Sequence, residues 1–467
     1  MVKTDENKPV EIKEMLERVY GIKISYWKAW KAKEIAMQLV RGKPEESFMG
    51  LPCYLWLLNQ ANPGTISAYQ VDMENCFEQC FLALGPSVAG FRSCMRPVIA
   101  IDACFLKGRY RGKLFHDTCM GGNNQIYQLA FGVAATENDE SWTWFFKKLL
   151  FISNRHPSIE KCCKQEFLDA TYGICMFHLC LNMASRYKVK EKDLLYGVAK
   201  AYTKIDFEEK LNHIRHTRKE IYEYLMNADP SKWALCLFPS WRYSVMTTNI
   251  VESMNVVLRE AREFPIIGML EIIRMKLQGW FHDRLRMANK WTNTLTPYAE
   301  RKLGKRDDKS HHFNLHLIDA FRFYVLDGRR DATVDINLRT CPCNVFQLNQ
   351  LHCPHAIKAC RERDMTIYNI CSRFYNIECL TLAYSIPVNP VPHRSEWYRL
   401  VPESVQSVLM GPPVIRNKKG RRKNKGVSSQ GEEIIRKHCS RCRQLGHNKQ
   451  ICTKNEYVPV HQHEKIA

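Results

Sequence analysis

The chain has 467 residues, 45% of them hydrophobic, enough for two or three packed domains. Lys and Arg number 69 against 48 Asp and Glu, a net charge of +21 that points to an acidic partner, most often nucleic acid. With a charged N-terminus and no apolar core there, no secretory signal is expected; no apolar run is long enough for a membrane span, and 20 cysteines in that setting point to metal ligation rather than disulfides.

In chain order, residues 9–93 read as mostly helical, with Ile12, Met15, Leu16 and Tyr20 at helical spacing. The pattern changes at PVIAI, a short strand expected to end at Asp102. LFHDTCM (114–120) and QIYQLAFGVAA (125–135) read as strands around a GGNN turn. NDESWTWFFKKLL (138–150) reads as an amphipathic helix with an acidic first turn, and LLFIS as another strand. A helix is expected over 158–167, a last strand at TYGICMF, and a helix at HLCLNMASRY. Cys104, Cys119 and Cys180 lie in apolar contexts and are expected to be buried thiols. From 188 to about 325 the chain reads as helical. The prolines of PVNPVPHRSEWY mark a linker, and residues 411–431 are basic, with almost no apolar residue.

Two clusters have zinc-ligand spacing. Cys439-x2-Cys442-x4-His447-x4-Cys452 offers three thiolates and an imidazole, and so short a segment has no core besides the metal. Its spacing resembles the zinc knuckle of nucleocapsid-type proteins, which implies binding to single-stranded nucleic acid. Cys341-x-Cys343-x9-Cys353-x-His355 is the second cluster, with one pair on a turn and the other opening a helix. His352 and Cys360 are expected to stand outside its ligand set. The CxC…CxH pattern resembles the SWIM zinc finger, linked to nucleic-acid and protein binding.

Taken together, PVIAIDACFLKGRYRG, GGNNQIYQLAFGVAATENDESWTWF, FISNRHPSI, CMFH and TTNIVESMN resemble the Mutator-like element transposases of plants. The resemblance covers about residues 9–455. It implies an α/β fold with an RNase H-like core, helical N-terminal and inserted regions, and two small zinc modules. The organisation expected is a helical region over 1–95, a transposase domain over 96–325, a SWIM finger over 326–365, a linker and basic tail over 366–431, and a knuckle over 432–457. Transposases of this kind hold two Mg²⁺ ions about 4 Å apart between carboxylates, for in-line attack on a phosphodiester. Carried over by motif, those carboxylates are Asp102 and Glu252, with Cys175 and His178 as the CxxH element. The family's second Asp falls where this chain has Asn154, in Ser153-Asn154-Arg155-His156, and the stretch before it is shortened. A neutral amide in that place compensates two cations less well, so strand cleavage is not expected. Residues 1–50 also hold no Cys/His cluster to match the family's additional zinc domain.

Plainer readings stand beside these. Asp102 also suits a strand-end turn, Glu252 the third position of a capping box opened by Asn249, Asn154 an ordinary strand end, and Cys175 and His178 an apolar helix face. Asp169 is the nearest substitute carboxylate, but it lies beyond the intervening helix. Lys107, Arg109, Arg111 and Lys113 are candidate phosphate contacts beside Asp102, or a solvated hairpin. Arg416, Lys418, Lys419, Arg421, Arg422, Lys423 and Lys425 read as a nuclear import signal, a phosphate-binding arm, or both. The leading expectation is a nuclear, zinc- and nucleic-acid-binding protein derived from a transposase, its partner DNA or a single strand. The alternatives are an active transposase and an adaptor for nuclear proteins acting through the SWIM finger.

Overall fold

The computed structural model describes residues 8–96, 98–147, 152–153, 173–187, 192–240, 242–243, 245–247 and 249–414. Asn154, the helix expected over 158–167, Asp169, the basic run 416–425 and all four knuckle ligands lie outside them.

The chain opens with helices α1 (Pro9–Tyr20), α2 (Tyr26–Arg41), α3 (Pro44–Met49) and α4 (Leu51–Ala61). Residues 9–93 are thus mostly helical, as expected, but two strands that the sequence reading did not foresee interrupt them. Ile66–Val71 and Phe77–Ala83 are strands β1 and β2, turned over at Asn75 with φ +60°, before α5 (Gly85–Cys94). They join β3 (Ile99–Phe105), β4 (Lys113–Met120), β5 (Ile126–Ala134) and β6 (Ile152–Ser153) in one sheet of order β1-β2-β5-β4-β3-β6.

All pairs in this sheet are antiparallel except β3 with β6, whose parallel register is Ala100↔Ile152 and Ile101↔Ser153. The crossover between β5 and β6 contains α6 (Asp139–Phe146). Asn138 caps α6 by accepting from the Ser141 N–H at 2.9 Å, and the Ser141 hydroxyl accepts in return from the Asn138 N–H at 3.1 Å. Trp142, Phe145 and Phe146 of α6 are buried against the sheet, with the Phe115 and Trp142 rings 4.4 Å apart. A Cβ on Gly132 would come within 2.6 Å of the Phe145 ring, so only glycine lets α6 sit this close to β5.

Two further expectations are corrected. β3 continues to Phe105, paired with Lys113, so Asp102 sits within the strand and not at its end. The described part of TYGICMF, residues 173–177, is not a strand: the helix Met176–Tyr187 begins inside it, and the N–H groups of Ile174 and Met176 donate to the Lys232 and Met246 carbonyls. Cys104, Cys119 and Cys180 are buried as expected.

The helical stretch after residue 192 includes Lys204–Thr217, Asn249–Val257, Ile266–Ala288 and Pro297–Ser310. A small antiparallel sheet follows, β7 (Asn314–Leu317), β8 (Arg322–Leu326) and β9 (Ala332–Asp335), and the helix Pro354–Glu362 packs on it.

Residues 366–414 were expected to be linker, yet they belong to the folded unit. The helix Ile377–Ala383 crosses α5 so closely that a Cβ on Gly90 would stand 2.3 Å from the Ala383 carbonyl oxygen. The proline-rich segment lies along α4. The Asn62 amide donates to the Asn389 carbonyl at 3.1 Å and accepts from the Asn389 N–H at 2.7 Å, and the Trp397 ring lies 6.1 Å from that of Tyr54. Proline confines this segment to an extended path, and side chains of the first helices hold it there.

Candidate metal centre and acidic site

The chain places Cys341 and Cys343 on the turn after β9. Cys353 is the N-cap of the helix Pro354–Glu362, its Sγ accepting from the Ala356 N–H at 3.4 Å, and His355 lies in that helix's first turn. One ligand atom from each of the four residues falls within 4.8 Å of every other, so the group could hold a zinc ion. A tetrahedron with Zn–S of about 2.3 Å and Zn–N of about 2.0 Å has a sulfur–nitrogen edge of about 3.5 Å. The separation of Cys341 Sγ and His355 Nδ1, 3.6 Å, fits it.

The groups of this cluster act strongly on one another's protonation. Hydrogen bonds from Cys341 and Cys353 hold the Cys343 thiol far below its ordinary range, while burial pushes Cys353 well above. Burial pulls the His355 imidazole down, but hydrogen bonds to Cys341 and Cys343 outweigh it and bring it to about 10. His355 directs Nδ1 at the sulfurs and Nε2 at Asp327 Oδ2, 3.2 Å away. Asp327 is itself clamped, its Oδ1 accepting from the N–H groups of Arg329 and Arg330. The Phe313 ring stacks on His355 at 5.1 Å.

Asp327 was missed on sequence, where it is an ordinary turn Asp in LDGRRD. His352 and Cys360 stand outside the four-residue group, as expected. His352 Nδ1 lies 3.4 Å from Cys371 Sγ and its ring stacks on Phe346, and Cys360 is packed in the small core that also holds Cys341 and Cys353.

A second constellation lies at β3. Asp102 and His116 are direct partners across β3 and β4. Asn255, on the helix Asn249–Val257, donates from Nδ2 to Asp102 Oδ2 at 3.1 Å. Its Oδ1 lies 2.8 Å from His116 Nε2, which must therefore carry the proton. Burial lowers the His116 imidazole to about 4, so at neutral pH it is an uncharged donor. Burial also raises the Asp102 carboxyl above its usual range.

Glu252 lies one turn before Asn255 on the same helix, and His178 Nε2 stands 3.7 Å from its Oε1. His178 is held above its ordinary value by a hydrogen bond with Cys175 and then by the charges of Glu252 and Asp102. Asp102, Cys175, His178 and Glu252 thus converge, drawn from β3, the start of Met176–Tyr187, and Asn249–Val257. Among the described residues no third ligand joins Asp102 and Glu252 closely enough to enclose an ion.

The basic loop beside Asp102 is largely neutralised within the chain. Lys107 pairs with Glu263 at 3.3 Å, Arg109 with Glu45 at 2.9 Å, and Lys113 with Glu137 at 2.6 Å. Those partners are 156, 64 and 24 residues away, so sequence alone gave no sign of them. Arg111 is exposed.

No helix among the described residues is long and apolar enough to cross a membrane. No curated protein matches the chain. Residues 98–182 match the model of the MULE transposase domain, a segment that begins just before β3 and Asp102 and ends in the helix carrying His178, and this match supports a place for the chain in the Mutator-like transposase family.

Proposed function

We propose that this chain is a nuclear, zinc-dependent nucleic-acid-binding protein derived from a Mutator-like transposase and without strand-transfer activity. The observation that carries the reading is the MULE match over 98–182 in a chain that also holds a Cys341–Cys343–Cys353–His355 cluster able to take zinc. An antiparallel β5-β4-β3 sheet that continues through α6 into a parallel β6 is what an RNase H-like core requires. The CxC…CxH cluster is assigned as a SWIM finger, and Cys439, Cys442, His447 and Cys452 as a second zinc module.

Loss of cleavage rests on the donor set. Two Mg²⁺ ions need several oxygen ligands, one of them bridging. Among the described residues no third carboxylate closes a ligand group with Asp102 and Glu252, and in the sequence Asn154 supplies an amide where the motif calls for a carboxylate. That set does not fit a two-ion centre. Asp102 and Glu252 are kept as the remnant of one.

The net charge of +21, with the run that includes Arg421, Arg422 and Lys423, supports phosphate binding and nuclear import. A second reading, an active transposase, is favoured by the convergence of Asp102, His178 and Glu252. Titration of a labelled DNA at several salt concentrations tests the proposal. Affinity should fall linearly in log[salt] with a slope of several phosphates. No binding at low salt would refute it and leave the adaptor role.

A further inference from the structure

The turn between α1 and α2 gathers aromatic rings and lysines that the fold leaves uncovered. Among the described residues α1 has no buried residue and packs chiefly along α2, which buries Ala29 and turns the rest of its first turns outward. Tyr26 is 58% exposed, Trp27 65% and Trp30 41%, and Tyr20 stands free at the end of α1. An uncovered tryptophan costs solvation free energy, and two of them one helical turn apart form a contiguous aromatic face.

The charge of this face selects its occupant. Residues 21–33, GIKISYWKAWKAK, contain Lys23, Lys28, Lys31 and Lys33 and no Asp or Glu. Lys23 reaches back to Glu17 at 3.3 Å and Lys31 to Glu34 at 3.6 Å, both in exposed pairs that exchange readily with another anion. A second copy meeting this tip with its own would set lysines against lysines. A polyanion with flat apolar groups complements it: bases stack on Trp27 and Trp30 while phosphates lie over Lys28 and Lys31. Bases paired in a duplex keep their faces hidden, so the ligand must be unpaired.

We infer that the α1–α2 tip is a single-strand-binding surface, with Trp27 and Trp30 as stacking platforms and Lys28 and Lys31 as phosphate contacts. This rests on the nucleic-acid-binding function proposed above and assigns part of it to a surface apart from both zinc clusters and the Asp102 loop.

The test uses the full zinc-loaded chain, with fluorescence anisotropy of labelled 20-mers: oligo-dT, oligo-U and a duplex. The double variant Trp27→Ala/Trp30→Ala should bind oligo-dT or oligo-U about tenfold or more weakly, with duplex affinity within twofold of wild type. Trp27→Phe/Trp30→Phe should recover most of the loss, and Lys28→Gln/Lys31→Gln should lower the salt slope for the single strand. Loss on DNA alone or RNA alone tells which strand is the ligand. If the wild type binds the 20-mers and the alanine variant, with unchanged circular dichroism, binds them equally, this inference falls and the function proposed above stands. If the wild type binds none, both fall. A wild-type dimer by light scattering that becomes monomeric in the alanine variant makes the face a self-association surface and also overturns the inference.

Discussion

Replacing Asp327 by Asn tests the metal centre through a residue that does not itself contact the ion. Asp327 Oδ2 accepts from His355 Nε2 at 3.2 Å and so keeps Nδ1 directed at Cys341. Burial opposes its charge, but the N–H groups of Arg330 and Arg329 and the His355 imidazole outweigh it, so Asp327 titrates below the usual range and is anionic wherever zinc binds. An Asn can keep the turn, since its oxygen still accepts from Arg329 and Arg330. Its amide nitrogen then faces the imidazole N–H, donor against donor. Loss of such a carboxylate behind a ligating His weakens zinc affinity about 10- to 100-fold, or about 1.4–2.7 kcal/mol. The assay is competition against a chromophoric chelator at pH 7.5, in a background where Cys439 and Cys442 are Ser so that the other cluster is silent. Stoichiometry should remain near one zinc with the weaker constant. An affinity within twofold of the parent would refute the assigned hydrogen bond and the His355 tautomer with it.

Asp102→Asn should stabilise the chain at pH 7, because burial raises this carboxyl and ionising it opposes folding. The gain should vanish as pH falls below the unfolded value of 3.8, where Asp102 is neutral in both states; urea unfolding at pH 7 and pH 3.5 measures it. His116, ordinarily near 6.5 but lowered by burial to about 4, stays neutral in the fold over a window in which the unfolded chain takes up a proton. Stability should therefore drop as pH falls from 6.5 toward 4. By pH 5 the drop from this group is about 2 kcal/mol, and His116→Gln, which keeps a donor for Asn255, should show that much less loss between pH 7 and 5. Leu380→Ala, deleting a side chain 2% exposed in the helix against α5, should cost about 2–5 kcal/mol by thermal or urea unfolding. A neutral result there would return residues 366–414 to the status of a linker.

Legibility followed range along the chain. The ligands Cys341, Cys343, Cys353 and His355 could be read because their spacing is local and the chemistry of zinc fixes the residue types. The helix α6 could be read from its amphipathic pattern and acidic first turn. Strands β1 and β2 were not, since ISAYQV is half exposed with no clean alternation and follows a long helical stretch. The proline-rich segment misled because its anchors, Asn62 and Tyr54, lie more than 300 residues earlier. At the acidic site, motif order brought out Asp102, Cys175, His178 and Glu252. Asn255 and His116 carry no signal of their own, for their role exists only once β4 and the helix Asn249–Val257 meet at Asp102. The paired lysines and arginines of 107–113 show the same limit, since charge patterning cannot see a carboxylate brought in by the fold.

The central claim is a transposase-derived binding protein with no cleavage chemistry, and a plasmid-nicking assay in Mn²⁺ addresses it most directly. The purified, zinc-loaded chain should nick supercoiled DNA carrying terminal repeats no faster than its Asp102→Ala variant. Nicking well above that variant, and lost equally in Glu252→Ala, would contradict the account and restore an active two-carboxylate centre.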